Sequence, residues 1–298
     1  MKNTLERNSK EASSTTAPFG TAETFDPVSE DPVLLDKKHP PRVHEVAVVS
    51  AGVSLYGKVY SVQGTAMRPI VLIARGYPDM TSSADLALTL QRAGYNAMLF
   101  HYRGAWGMGG AFSLENSFQD LKAAARFLRS GPRSKEMLVD TEKIILFGFS
   151  FGGPIALRLA AEDDAIHGVL QLDGTDFRGI PGLPAEALAT YAAELMTVAI
   201  PGAVGMQLLA DIAANMTRWD PATYAPGLSG KDVCLLWASQ GHGKEMRDYG
   251  PTLHDLYAAT ARVTEMIFDT DHDFSDHRIA IARATLAWLK KIVMPIGS

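Results

Sequence analysis

The stretch Lys143-Ile144-Ile145-Leu146-Phe147-Gly148-Phe149-Ser150-Phe151-Gly152-Gly153-Pro154-Ile155-Ala156-Leu157-Arg158-Leu159-Ala160-Ala161 decides how this chain is read. Its first part is a short apolar run bounded by glycine, as expected of a buried strand. Its last part is rich in alanine and leucine and reads as a helix. Between them Gly148-x-Ser150-x-Gly152 marks a sharp turn with a serine at its apex. A serine that is to act as a nucleophile must stand clear of the backbone, which demands a tight turn. Its neighbours must be small because strand and helix crowd there. The helix start offers unpaired N–H groups to a developing negative charge. The five-residue pattern alone arises by chance; the strand before it and the helix after it supply the context that makes it a candidate nucleophile elbow.

Working outward, strands are expected at about 43–50, 53–61, 69–74, 95–102, 143–149, 167–173, 232–238 and 263–268. Helices are expected at about 82–93, 115–130, from the elbow to 162, 251–260 and 277–291. Two antiparallel opening strands followed by strand–helix units with near-continuous apolar strands indicate an α/β domain over 43–298, built on a mostly parallel, eight-stranded, doubly wound sheet. One segment breaks the rhythm. The sixty or so residues after Asp173 carry Ala, Met and Leu with scattered Pro and Gly, and read as helices near 184–199 and 203–217, since a structureless loop of that length is uncommon. Such an insertion, about 177–230, would form a helical cap over the carboxyl ends of the strands; the alternative is a pair of packing helices with no ligand role. Residues 1–42 form a polar arm without periodicity, which reads as disordered or as a clasp between two copies, hence a candidate homodimer.

Composition excludes several classes. With 47% hydrophobic and 20% charged residues the chain is an ordinary globular one. A net charge of −5 and the lack of a long basic run argue against nucleic acid and anionic membrane as partners. No stretch has the apolar length to span a bilayer, and Met1 to Thr16 has no apolar block of a secretory leader, so a cytoplasmic location is expected. The single cysteine, Cys234, lies in the apolar run Val233–Trp237 and reads as a buried strand residue, not a catalytic thiol. No cofactor is expected.

A serine hydroxyl needs a base. Asp269-Thr270-Asp271-His272-Asp273-Phe274-Ser275-Asp276-His277-Arg278 follows the last strand, which places His272 at the same sheet edge as Ser150. His277, opening the final helix, is the weaker candidate. Asp271, His272, Asp273, Asp276 and His277 also resemble a metal-ligand cluster on paper, but no second His or Cys pair completes a shell, so no metal is expected. Two backbone donors would hold an oxyanion: Phe151 N–H after the nucleophile, and Tyr77 N–H in Arg75-Gly76-Tyr77-Pro78-Asp79, the loop after the third strand. In the glycine-rich loop Tyr102-Arg103-Gly104-Ala105-Trp106-Gly107-Met108-Gly109-Gly110 no Lys-Ser or Lys-Thr follows, which argues against a phosphate cradle; Arg103 is expected to pin loops through carboxylates. Met196, Met206, Met216, Leu208, Leu209 and Trp219 in the presumed cap suggest an apolar pocket, although helical spacing also suits plain packing.

Taken together these motifs resemble the α/β-hydrolase fold. They are most similar to the hydrolase module of prolyl-oligopeptidase and acylaminoacyl-peptidase-like serine hydrolases and to the small esterases related to them. The matching pieces are Gly76-Tyr77-Pro78, Tyr102-Arg103-Gly104 with Trp106-Gly107 and Gly109-Gly110, Gly148–Gly153, and Asp271-His272 with Phe274-Ser275-Asp276, in the family's order over roughly 43–292. The sequence departs from the family twice. Arg75 stands where a histidine usually precedes the oxyanion glycine. No aspartate follows the strand at 232–238, where the family places its acid. Asp173 at the end of the preceding strand is the preferred substitute, Glu245 the alternative, and a Ser–His dyad the third reading. The resemblance implies a carboxylesterase-like serine hydrolase acting through an acyl-enzyme on Ser150, on a small-molecule ester or amide with an apolar part. An acyltransferase or cyclase using the same acyl-enzyme, or a non-hydrolytic binding protein, are the competing readings.

Overall fold

The computed structural model describes residues 25–32, 35–77, 83–195, 205–241 and 251–293. Its centre is one eight-stranded sheet: β1 (Arg42–Ser50), β2 (Val53–Ser61), β3 (Arg68–Ala74), β4 (Asn96–Phe100), β5 (Val139–Phe149), β6 (Ile166–Leu172), β7 (Asp232–Ala238) and β8 (Arg262–Phe268). Their spatial order is β1-β2-β4-β3-β5-β6-β7-β8. β1–β2 and β2–β4 are antiparallel and every later pair is parallel.

Each strand's sequence matches its place. β1 alternates, with Val46, Val48 and Ser50 buried and Glu45, Ala47 and Val49 exposed, as an edge strand with one face on the core should. β3 buries Ile70 to Ala74 without a break because helices cover both faces. On one face lie α2 (Leu114–Arg129) and α4 (Gly152–Glu162), with the short α3 (Gly131–Glu136) following α2 in the chain; on the other lie α1 (Ala84–Arg92) and α9 (Arg278–Val293). α2 shows why such segments are helical. Ser113 caps it by accepting from Asn116 N at 3.1 Å, and Leu114, Phe118, Leu121, Ala125 and Leu128 recur at helical spacing on the buried side. Each fully buried Leu or Ile of these layers contributes about 1.5–3 kcal/mol.

Between β6 and β7 the chain makes a 3-10 turn (Phe177–Gly182), α5 (Ala185–Leu195), α6 (Gly205–Ala214), α7 (Met216–Trp219) and a second 3-10 turn (Pro221–Tyr224). Phe177, Ile180, Leu208, Leu209, Ile212 and Trp219 bury themselves on the face shared by α2 and α4. A short α8 (Leu253–Tyr257), closed by a capping box between Thr252 and Asp255, precedes β8. Part of the arm is described and lies on the body: Arg92 Nε donates to Pro27 O at 2.8 Å and Arg283 pairs with Asp26 at 2.8 Å, tying it to α1 and α9. Among the described residues no helix is long and apolar enough to cross a membrane.

Candidate active site

Ser150 stands between β5 and α4 with φ of +50°, in the left-handed region. Such a conformation costs a non-glycine residue about 1–3 kcal/mol and persists only when its surroundings fix it. Here they do: Ser150 N donates to Leu172 O of β6 at 3.0 Å, and Ser150 O accepts from Gly153 N at 2.9 Å and Thr175 N at 3.1 Å. The motif's glycines follow from crowding. A Cβ on Gly152 would stand 2.1 Å from Ala74 O, and one on Gly148 would stand 2.4 Å from Gly152 O.

His272 lies in the loop between β8 and α9, its ring stacked on Phe149 with centroids 5.1 Å apart. Its Nε2 is 2.9 Å from Ser150 Oγ and its Nδ1 is 2.6 Å from Asp173 Oδ2. Asp173, the first residue beyond β6, is fully buried. Its N donates to Leu236 O at 2.7 Å and its Oδ1 accepts from Ala238 N at 3.1 Å, so it is anchored on β7. The turn after β7 closes on the same carboxylate: a Cβ on Gly241 would lie 2.2 Å from Asp173 Oδ2. The structure thus brings Ser150, His272 and Asp173 together, while Glu245 lies outside the described residues.

Phe151, expected to offer the first oxyanion N–H, immediately precedes α4. Gly76, next to Tyr77, abuts the serine: a Cβ built on it would be 3.3 Å from Ser150 Cβ. Arg75, the residue before Gly76, is tied down. Its Nη1 donates to His101 Nδ1 at 3.3 Å and its carbonyl accepts from Tyr102 OH at 3.1 Å. Burial, reinforced by the Arg75 charge, pushes the His101 imidazole down to about 4, so it is neutral and able to accept.

The other singled-out residues separate by environment. Arg103 is buried and pins loops: its Nε donates to Asp120 Oδ1 at 2.7 Å and its Nη2 to Ser50 Oγ at 2.7 Å. Around His272, Asp271 accepts from Ser275 N and Oγ, and Asp276 accepts from Thr270 Oγ1 and faces His277 Nδ1. These carboxylates close their own loop, and among the described residues no group of three acidic, His or Cys side chains could hold a metal ion. Burial pushes the Cys234 thiol up to about 12. Of the proposed cap residues, Met206 is exposed, Leu208, Leu209 and Trp219 are buried in packing, and Met196 lies outside the described residues. Sequence reasoning missed a layer of rings beside the serine: Phe112 lies 4.1 Å from Tyr77 and 5.2 Å from Phe151, and Phe151 lies 6.2 Å from Phe177. Phe151 was named only for its backbone, and nothing local distinguishes Phe112 or Phe177.

The strand order, two antiparallel opening strands, serine turn after β5 and histidine loop after β8 define the α/β-hydrolase fold. Solved structures share it. The acylaminoacyl peptidase of Pyrococcus horikoshii superposes with a TM-score of 0.63 at 15% identity, covering 87% of this chain and 42% of that one. The thermostable carboxylesterase EstE1 from a metagenomic library gives 0.60 at 18% identity, covering 83% and 89%. Dienelactone hydrolase from Anabaena variabilis gives 0.57 at 18% identity, covering 85% and 98%. Among curated proteins the chain is 35% identical over 95 residues to two uncharacterized proteins of Mycobacterium tuberculosis, from strains CDC 1551 / Oshkosh and H37Rv. That match covers 32% of this chain and 32% of each relative. No family model matches the chain.

Proposed function

We propose that this protein is a serine hydrolase that cleaves carboxylic esters. The observation that carries the reading is the series Ser150 Oγ, His272 Nε2, His272 Nδ1 and Asp173 Oδ2, with separations of 2.9 and 2.6 Å across the imidazole and a fully buried carboxylate at its end. A neutral imidazole with its proton on Nδ1 leaves Nε2 free to accept the serine proton. Ser150 Oγ then attacks the ester carbonyl carbon, and the carbonyl oxygen becomes an oxyanion facing the N–H groups of Phe151 and Tyr77. His272 Nε2–H passes the proton to the leaving alkoxide as the C–O bond breaks, leaving the acyl group on Ser150. Water repeats the sequence: His272 takes its proton, the hydroxide adds to the acyl carbon, and Ser150 leaves with the proton returned. Asp173 holds the imidazole tautomer and stabilises the imidazolium in both halves. The rings of Tyr77, Phe112, Phe151 and Phe177 favour a substrate with an apolar part.

A fluorophosphonate probe with mass-spectrometric mapping tests this. An adduct on Ser150, absent from Ser150→Ala, together with turnover of p-nitrophenyl esters, is expected. A folded protein that takes no adduct and turns over no ester would refute it.

A further inference from the structure

Tyr77 carries a hydroxyl that the acyl-transfer steps leave without a task. The residue is 7% exposed, its ring is stacked on Phe112 at 4.1 Å and tilted against Phe151 at 5.9 Å, and its hydroxyl has no hydrogen-bond partner among the described residues. The other phenol of the same layer is satisfied, since Tyr102 OH donates to Arg75 O at 3.1 Å. A buried hydroxyl without a partner is uncommon in a native protein and calls for a reason. Burial also raises the Tyr77 phenol above its ordinary value, so near neutral pH it stays protonated and can donate. The preceding residue, Gly76, abuts Ser150, and the ring packs on the residue that follows Ser150.

We propose that Tyr77 is a specificity-determining residue: its hydroxyl pairs with an oxygen carried on the acyl or alkoxy chain of the ester, so that the site selects oxygenated esters over plain alkyl ones. The inference rests on the reading of Ser150 as an acyl-accepting nucleophile. Its logic is a penalty. A plain alkyl chain laid against this layer keeps the phenol unpaired, whereas a ketone, ether or hydroxyl oxygen at the right carbon pairs it. The surrounding rings, being carbon only at their faces, discriminate by shape and not by polarity.

The test uses p-nitrophenyl esters whose acyl chain carries one ketone oxygen at successive positions, each paired with its all-carbon counterpart, and a second series of pentanoate esters with the ketone on the alcohol. In the native protein at least one oxygenated ester is expected to exceed its counterpart in kcat/KM by about tenfold. Tyr77→Phe, which removes one atom and keeps the backbone N–H, is expected to bring the oxygenated-to-plain ratio of kcat/KM down to about one by slowing the oxygenated member of the pair. Native protein with no preference in either series overturns the inference without any variant. A Tyr77→Phe protein that slows both members of every pair equally also overturns it, because the phenol then serves the reaction in general. Fluorophosphonate labelling of Ser150 separates the two failures: labelling with no preference sinks the role of Tyr77 alone, and its absence in folded native protein sinks both.

Discussion

His272 Nδ1 stands 2.6 Å from Asp173 Oδ2, although that carboxylate leaves the sheet after β6 and the strand before the usual acid position is β7. Asp173 reaches the imidazole across the end of β7, anchored by Ala238 N at 3.1 Å. Asp173→Asn preserves the shape but cannot hold the same tautomer or stabilise the imidazolium. Its kcat is expected to fall by about three to four orders of magnitude with the fold retained. Glu245→Gln is expected to leave kcat/KM near the native value. Steady-state kinetics on the pair decides, and the reverse pattern would reassign the acid.

Gly241 offers an independent check on the same carboxylate. A methyl group there would have to occupy space 2.2 Å from Asp173 Oδ2, so either the turn after β7 or the buried carboxylate must move. Gly241→Ala is expected to cost about 1–3 kcal/mol of stability, as overpacking does. It should also lower kcat/KM by about a hundredfold through misplacement of the imidazole. Denaturant titration and ester kinetics measure the two effects, and a variant with native activity would show that Asp173 is not held there.

The parts of this arrangement that were legible in the sequence are those with a local cause. The serine turn announces itself because crowding by Ala74 O and by the helix backbone leaves room only for glycine at 148 and 152. The bounds of β7, an apolar run inside the sheet, came out as 232–238 from sequence and structure alike. The fifth strand starts at Val139 and not at 143, because Asp140 to Lys143 are polar and the register with β3 slips between Arg68 and Ile70, which hides the strand's first half. The α3 helix was missed because Gly131 and Pro132 open it. The sequence favours Asp173 over Glu245 by its place at the carboxyl edge of the sheet but leaves both open. The choice depends on the lateral order β6-β7-β8 and on a contact between residues 99 apart in the chain, neither of which leaves a local mark.

His101 gives a prediction in pH. Burial, which disfavours the imidazolium, and then repulsion by Arg75 push it down to about 4 in the folded protein, below the ordinary imidazole value of about 6.5. A base whose folded value is depressed adds stability above the unfolded value, and that contribution is lost as pH falls from about 6.5 toward 4, where the unfolded chain binds the extra proton. Denaturant titrations are expected to show native stability declining across this interval more steeply than His101→Gln does. Parallel curves for the two proteins would mean that His101 is charged or exposed in the folded state.

Arg158 supports the segment between β6 and β7. From α4 its guanidinium sits 3.9 Å from the Phe118 ring of α2 and 4.6 Å from the Trp219 ring of α7, while pairing with Glu115 and Glu162 at 2.8 Å each. The planar group fills a slot between two aromatic faces and two carboxylates, which a lysine ammonium cannot do. Both Glu115 and Glu162 are partly exposed, so water offsets some of the loss when the arginine goes. Arg158→Lys is therefore expected to cost about 2–3 kcal/mol and to lower Tm by roughly 3–5 °C. Limited proteolysis should cut first within α6 and α7, because those helices lose their tie to α2 and α4. A double-mutant cycle with Trp219→Leu isolates the stack: a coupling of about 1 kcal/mol is expected, and additivity of the two substitutions would reduce the contact to coincidence.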